Sequence, residues 1–326
     1  MQMNTEHLIR NVGTNQFDVM TDGTATSSVS AAGGASTQYY VGIDAGLADQ
    51  KSGQGYGMGK YGVGLYGTAL VSDTAQQYPR IWFFDSYGDN IIGTPGEQTG
   101  VYEWDGLVTG APTAVTNAPA AVNYAFVSDN TIVTLGAGGT PNRIFTSDQG
   151  DITNWTSSST NAVFDDNIEG AGKLISHVNV DGTNLIFSAN QCYTFRRIAG
   201  SAIWAIDFKD NIGIIAPMAR VVVKGVAYWL GQNNFYRWRG GNIEVVPSNT
   251  SSESTILKYV FENINRAQAY KSFAWYNRRY DEIWFHYPSE GSNEVDRVAR
   301  FHVTDLHWTP RIVTGRGLCS QIHILG

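Results

Sequence analysis

Five segments of this chain repeat one pattern: a strand, a short polar turn, a second strand, another turn, then an aromatic strand. They are RIWFFDSYGDNIIGTPGEQTGVYEWDG (80–106), VNYAFVSDNTIVTLGAGGTPNRIFTSDQGDITNW (122–155), KLISHVNVDGTNLIFSANQCYTFRRIAG (173–200), ARVVVKGVAYWLGQNNFYRWRGG (219–241) and YKSFAWYNRRYDEIWFHYPSEGSNEVDRVARFHVTDLHW (270–308), the last with a longer middle turn. The turns hold Tyr87-Gly88-Asp89-Asn90, Asp129-Asn130, Asp181-Gly182, Lys224-Gly225 and Asn233-Asn234, residues that suit tight hairpins. Counted between the second strands, from Asn90, Thr131, Thr183, Val226 and Asp281, the steps are 41, 52, 43 and 55 residues. A unit of that length with three or four short strands is the period of a propeller blade. One small sheet cannot bury both faces alone, whereas sheets stacked about an axis bury them against each other. The spacing therefore predicts an all-β chain, a β-propeller-like stack of short antiparallel sheets. A two-sheet sandwich is the competing arrangement of the same strands.

A single stretch has helical periodicity. Between Ser254 and Ile264, the residues Ile256, Val260, Phe261 and Ile264 share one helical face, which predicts one short helix near 254–264, packed between two blades. The expected organisation is an amino-terminal hairpin segment and Gly/Tyr-rich loop over 1–78, followed by blades over 79–326. Within the first part, QFDVMTDGT (16–24) suits a hairpin arm, and GQGYGMGKYGVGLYG (53–67) alternates glycine with Tyr56, Met58, Tyr61 and Tyr66. That loop twice contains the glycine spacing of a dinucleotide site, at Gly57–Gly62 and Gly62–Gly67. A phosphate-binding turn needs a strand before it and a helix after it, and glycine at this density prevents the helix. The reading kept is a loop whose Tyr56, Met58, Tyr61 and Tyr66 contact another subunit or partner, aromatics giving contact area at low entropic cost. A solvated loop is the alternative.

Composition removes several classes of function. Charged residues are only 16% and the net charge is −7, with no basic block, which disfavours a sequence-reading nucleic-acid binder. No apolar run approaches the length of a membrane span, and the MQMNTEHLIR terminus lacks the apolar centre of a signal peptide. Cys192 and Cys319 match no metal or redox spacing.

Chemistry-bearing motifs are few. Thr146-Ser147-Asp148-Gln149-Gly150-Asp151, with Trp155 beyond, resembles the Asp-box turn of sialidases and other propellers, in which an Asp braces a turn and an aromatic plugs the fold. Arg80, Arg143, Arg196, Arg197 and Arg220 are scattered over the repeats and define no carboxylate-binding set. Asp148/Asp151 and Asp165-Asp166 are close acidic pairs, read as turn chemistry in preference to a glycosidase dyad. His302 and His307, five apart in a strand-like segment, are expected to point to opposite faces. No GxSxG elbow occurs. The expectation is no catalytic residue, no metal and no cofactor.

The ordered segments carry a resemblance. IWFFDSYGDNIIGTPGEQTGVYEWDG, RIFTSDQGDITNW, VVVKGVAYWLGQNNFYRWRGG and VFENINRAQAYKSFAWYNRRYDEIWFHYPSEGSNEVDRVARFHV are similar to segments of the tail nozzle, or hub, proteins of short-tailed bacteriophages, also called stabilisation proteins. The similarity covers roughly residues 50–315, and family members are often longer at both ends. It implies a virion structural protein, made in the host cytoplasm, that forms a homohexameric ring below the portal and the adaptor, or head-tail connector. Such a ring continues the channel for DNA ejection and docks tail fibres or spikes. The acidic balance agrees with a conduit, because a neutral or negative wall lets DNA slide where a basic one would hold it. The alternative function is a carbohydrate-binding or glycoside-cleaving β-propeller.

Overall fold

The computed structural model describes residues 9–10, 18–19, 81–96, 99–106, 111–198, 204–248 and 252–312. The chain divides into two compact units, 1–46 and 47–326. In the first, β1 (Ile9–Arg10) pairs antiparallel with β2 (Asp18–Val19), Ile9 opposite Val19.

Among its described residues the second unit holds five four-stranded antiparallel sheets, and in each the strand order follows the sequence. The first sheet is β3 (Phe83–Tyr87), β4 (Asn90–Thr94), β5 (Tyr102–Trp104) and β6 (Thr113–Ala114). The second is β7 (Tyr124–Ser128), β8 (Thr131–Leu135), β9 (Arg143–Thr146) and β10 (Asp165–Asn167). The third is β11 (Leu174–Val180), β12 (Thr183–Ser188), β13 (Cys192–Arg197) and β14 (Trp204–Asp210). The fourth is β15 (Arg220–Val223), β16 (Val226–Leu230), β17 (Phe235–Arg239) and β18 (Asn242–Val245). The fifth is β19 (Phe273–Asn277), β20 (Glu282–Tyr287), β21 (Arg297–His302) and β22 (His307–Ile312). Each repeat read from the sequence falls on one of these sheets. First strands pack on first strands, β3 on β7, β7 on β11, β11 on β15 and β15 on β19, which is the propeller-like stack.

The hairpins between first and second strands follow from their turn residues. Asp129-Asn130, Asp181-Gly182 and Lys224-Gly225 all have positive φ at both positions, the two-residue turn whose twist matches that of the flanking strands. The apolar faces then meet between sheets. Ile92, Val101, Ala125 and Ile132 fill the space between the first two sheets, and Phe126, Leu174, Ile186 and Phe195 belong to the core of the second and third. A larger core joins the last three sheets to α1 (Ser252–Phe261). Ile256 and Val260 are buried, α1 packs on β22, and the Phe261 ring meets Phe235 of β17 edge-on at 5.6 Å. The helix thus sits between the fourth and fifth sheets, as its apolar face predicted.

Alternation corrects one sequence expectation. Trp229 and Trp284 hold similar places in VAYWLG and DEIWFH, which predicts that both are buried between blades. Trp229 is fully buried, its ring 5.1 Å from Phe187. Trp284 is only half-buried, because Ile283, Phe285 and Tyr287 take the core face of β20 and put Trp284 on the other one. There it lies against Trp275 and Arg300, and its indole donates to Glu282. No helix among the described residues is long and apolar enough to cross a membrane.

Candidate functional site

The first strands bring polar side chains together where the sheets converge. Tyr124 of β7 accepts a hydrogen bond from Arg220 Nη2 of β15 at 2.5 Å, and its hydroxyl lies 3.2 Å from His177 Nδ1 of β11. Arg220 Nε donates to Ser176 Oγ at 2.7 Å, and Ser176 Oγ donates to the Pro217 carbonyl at 2.6 Å. The His177 ring stacks on Phe126 with centroids 3.6 Å apart. On β3, Asp85 Oδ2 accepts the Val127 amide at 2.8 Å. Arg220 and its partners thereby fasten β7, β11 and β15, and the separate Asp85 bond ties β3 to β7.

Burial sets the protonation of this cluster. Desolvation holds the His177 imidazole well below its ordinary range, and the nearby Arg220 charge pushes it the same way. Burial raises the Tyr124 phenol, with Arg220 opposing it. Burial also raises the Asp85 carboxyl, against the pull of the Val127 and Ser86 amides and then Arg220. At neutral pH the cluster is therefore a neutral imidazole and phenol around one permanent cation. Ser176 is held by a guanidinium and a carbonyl, and the buried imidazole is partnered by Tyr124. The chemistry this supports is charge-assisted bonding between blades.

A cavity of about 180 Å³ opens where the first strands begin. Phe83, Asn123, Lys173, Pro217 and Tyr270 line it, one from the start of, or just before, each of the five first strands. It is smaller than a typical small-molecule site, which runs to roughly 300–1,000 Å³.

The residues singled out in the sequence go to different places. Asp148 braces its own loop: Oδ1 accepts the Gln149 and Ala162 amides at 2.8 and 2.9 Å, and Oδ2 accepts from Asn154 at 3.2 Å. Trp155 is buried beneath it, edge-on to Phe145, with its indole donating to Ile152. Asp151 caps the next turn by accepting the Thr153 amide and hydroxyl. The Asp-box reading of this loop therefore describes its hydrogen bonding. Asp165 and Asp166 differ from the turn expectation, since both lie on the edge strand β10. Asp165 there forms a bidentate pair with Arg143, and two carboxylates on an edge discourage further strand pairing.

His302 and His307 also differ from expectation. A turn separates them, so they stand directly opposite on β21 and β22 and share a face, their rings 5.3 Å apart. Strand alternation would have split them only within one continuous strand. Cys192 is buried and its thiol is pushed up by desolvation, while Cys319 lies outside the described residues. So do Tyr56, Met58, Tyr61 and Tyr66, the proposed contact residues of the 53–67 loop.

A feature that the sequence reading missed is the outer face of the first sheet. Trp82 and Phe84 are 44% and 65% exposed, with parallel rings 5.6 Å apart. Ile91 and Tyr102 continue this face across β4 and β5, and the Phe84 ring covers Gly93, where a side chain would collide with it. The available signal was the apolar run Ile81-Trp82-Phe83-Phe84, which is too apolar for a strand with one wet face.

No protein-family model and no curated protein matches the sequence. Solved structures that the chain partly matches include the extracellular domain of a protein described as a one component system from Bacteroides thetaiotaomicron. It is 13% identical, with a TM-score of 0.43, over 73% of this chain and 28% of that one. Another is a quinonprotein alcohol dehydrogenase-like protein from the same organism, 12% identical, with a TM-score of 0.40, over 69% of this chain and 53% of the other. This chain thus corresponds to about half or less of either structure.

Proposed function

We propose that this chain is a structural subunit of a phage tail, a nozzle or hub protein that assembles with copies of itself into a ring continuing the DNA channel. The observation that carries the reading is the exposed apolar face that the described residues of the first sheet present, Trp82, Phe84 and Ile91, with Tyr102 half-buried beside them. Large exposed rings on a rigid sheet are what a subunit contact uses, and a patch of this kind is uncommon on a protein that works alone. The ordered segments that resemble the nozzle family support it from the sequence side, with blades in the expected succession. Adaptor, fibre or spike, and passing DNA are the partners this reading supplies, and the virion tail is its location.

Electron micrographs of the purified protein test the proposal. Sixfold rings are expected, and the double substitution Trp82→Ser with Phe84→Ser is expected to leave monomers with an unchanged circular dichroism spectrum. Monomers at every concentration, together with absence of the protein from purified particles, would refute it. The parallel Trp82 and Phe84 rings also favour a second reading, a carbohydrate platform. Quenching of tryptophan fluorescence by oligosaccharides, lost in Trp82→Ala, would select that reading instead.

A further inference from the structure

The turn between β21 and β22 folds three metal-binding side chains onto one point. From their positions we infer a surface site for a divalent transition-metal ion of the zinc and nickel class, ligated by His302, Asp305 and His307. The inference is independent of the ring reading.

The local geometry comes from the hairpin. His302 ends β21 and His307 begins β22, and the register sets them directly opposite each other. Opposed residues on antiparallel strands have their side chains on the same face, roughly 5 Å apart at Cβ. The imidazole planes are 14° from parallel, so both rings extend the same way from the sheet. Asp305, in the turn, swings its carboxylate over the pair. One ligand atom from each residue lies within 4.8 Å of the others.

That arrangement is close to a coordination polyhedron. Ligands about 2.0–2.1 Å from a tetrahedral zinc ion lie roughly 3.4 Å from one another. His302 Nδ1 and Asp305 Oδ2 are already 3.4 Å apart. His307, half-exposed on β22, is the ligand that has to close in. His302 Nδ1 accepts the Asp305 amide at 3.1 Å, so its lone pair already faces the turn. A metal ion takes that lone pair, and the amide, at an exposed turn, passes to water. Two imidazoles and one carboxylate suit zinc, nickel or copper in preference to calcium or magnesium, which favour all-oxygen sets. Glu282 stands opposite His302 on β20, but its carboxylate accepts the Trp284 indole and pairs with Arg300, so the ligand set is the two imidazoles and Asp305.

Titration calorimetry on the full chain, prepared without a polyhistidine tag, tests the site with zinc chloride and then nickel chloride. One equivalent is expected to bind. His302→Gln and His307→Gln are each expected to weaken binding at least about tenfold, and Asp305→Asn by a smaller factor. Unchanged affinity in the double His302→Gln, His307→Gln protein would overturn the assignment, as would no saturable binding up to about 1 mM metal, the limit of weak association. Modification of the wild-type protein with diethyl pyrocarbonate gives a readout that needs no variant. Zinc is expected to protect His302 and His307, and equal labelling of these two residues with and without zinc would refute the site.

Discussion

Replacing Trp229 with alanine tests the inter-sheet packing directly, and Trp284→Ala is its matched control. Trp229 is fully buried, its ring against Phe187 and Tyr236, and its indole N–H donates to the Gly213 carbonyl at 3.2 Å. A buried tryptophan withdraws roughly 200 Å² from water, worth about 5 kcal/mol at ~25 cal/mol/Å². The stranded Gly213 carbonyl adds about 1 kcal/mol, and partial collapse of the cavity takes some back, leaving about 4–5 kcal/mol. Trp284 is half-buried and keeps solvent on one side, so about half the area counts, roughly 2.5 kcal/mol before the site relaxes, and the loss is about 2 kcal/mol. Urea unfolding followed by circular dichroism should therefore separate the two variants by about 2–3 kcal/mol. A Trp284→Ala protein as unstable as Trp229→Ala would show that the strand faces are assigned the wrong way round.

Three further outcomes are expected. Gly213→Ala should lower stability by about 3 kcal/mol or prevent soluble expression, because its methyl would sit 2.2 Å from the Ala189 carbonyl carbon, and backbone cannot move aside; a thermal midpoint within about 2 °C of the wild type would contradict this. The Asp281 carboxyl is held down to about 2, against desolvation, by hydrogen bonds from Thr304, Tyr276 and Lys224. Its folded value lies below its unfolded one, so it stabilises above about pH 4 and that contribution disappears as pH falls towards 2; after screening at a partly exposed site it is about 1 kcal/mol. Asp281→Asn should thus be less stable at pH 7 and equal to the wild type near pH 2, and a constant difference across that range would refute the linkage. Asp148→Ala removes the acceptor of the Gln149 and Ala162 amides and should cost about 1–2 kcal/mol, with new protease cleavage between 148 and 162.

Local chemistry was the part of this molecule that the sequence made legible. Asp129-Asn130, Asp181-Gly182 and Lys224-Gly225 occupy tight hairpin turns because Gly, Asn and Asp tolerate left-handed backbone, and the strands that follow them begin at Thr131, Thr183 and Val226. The Asp148 loop was readable for the same reason, since every partner of that carboxylate lies within 14 residues. Fourth strands escaped. Thr113–Ala114, Asp165–Asn167 and Asn242–Val245 are outer edges with mostly exposed side chains, so they carry no alternation to detect. The Arg220 cluster escaped because its members are 96 residues apart in the case of Tyr124 and Arg220, and only the stacking of sheets brings them together. His302 and His307 were misjudged because their spacing alone does not reveal a turn between them.

Strand order that follows the sequence within every sheet has a kinetic consequence. Each strand finds its hydrogen-bonding neighbour within one repeat, so the loops closed during pairing are short. Chains whose contacts are local fold quickly for an all-β protein, since little entropy is lost before the first contacts form. A sheet can close soon after its fourth strand leaves the ribosome, and it then presents its first strand to the sheet that follows. Synthesis and assembly of the stack would run in the same direction, with Arg220 of the fourth sheet tightening the bonds to Tyr124 and Ser176 only after three sheets are in place.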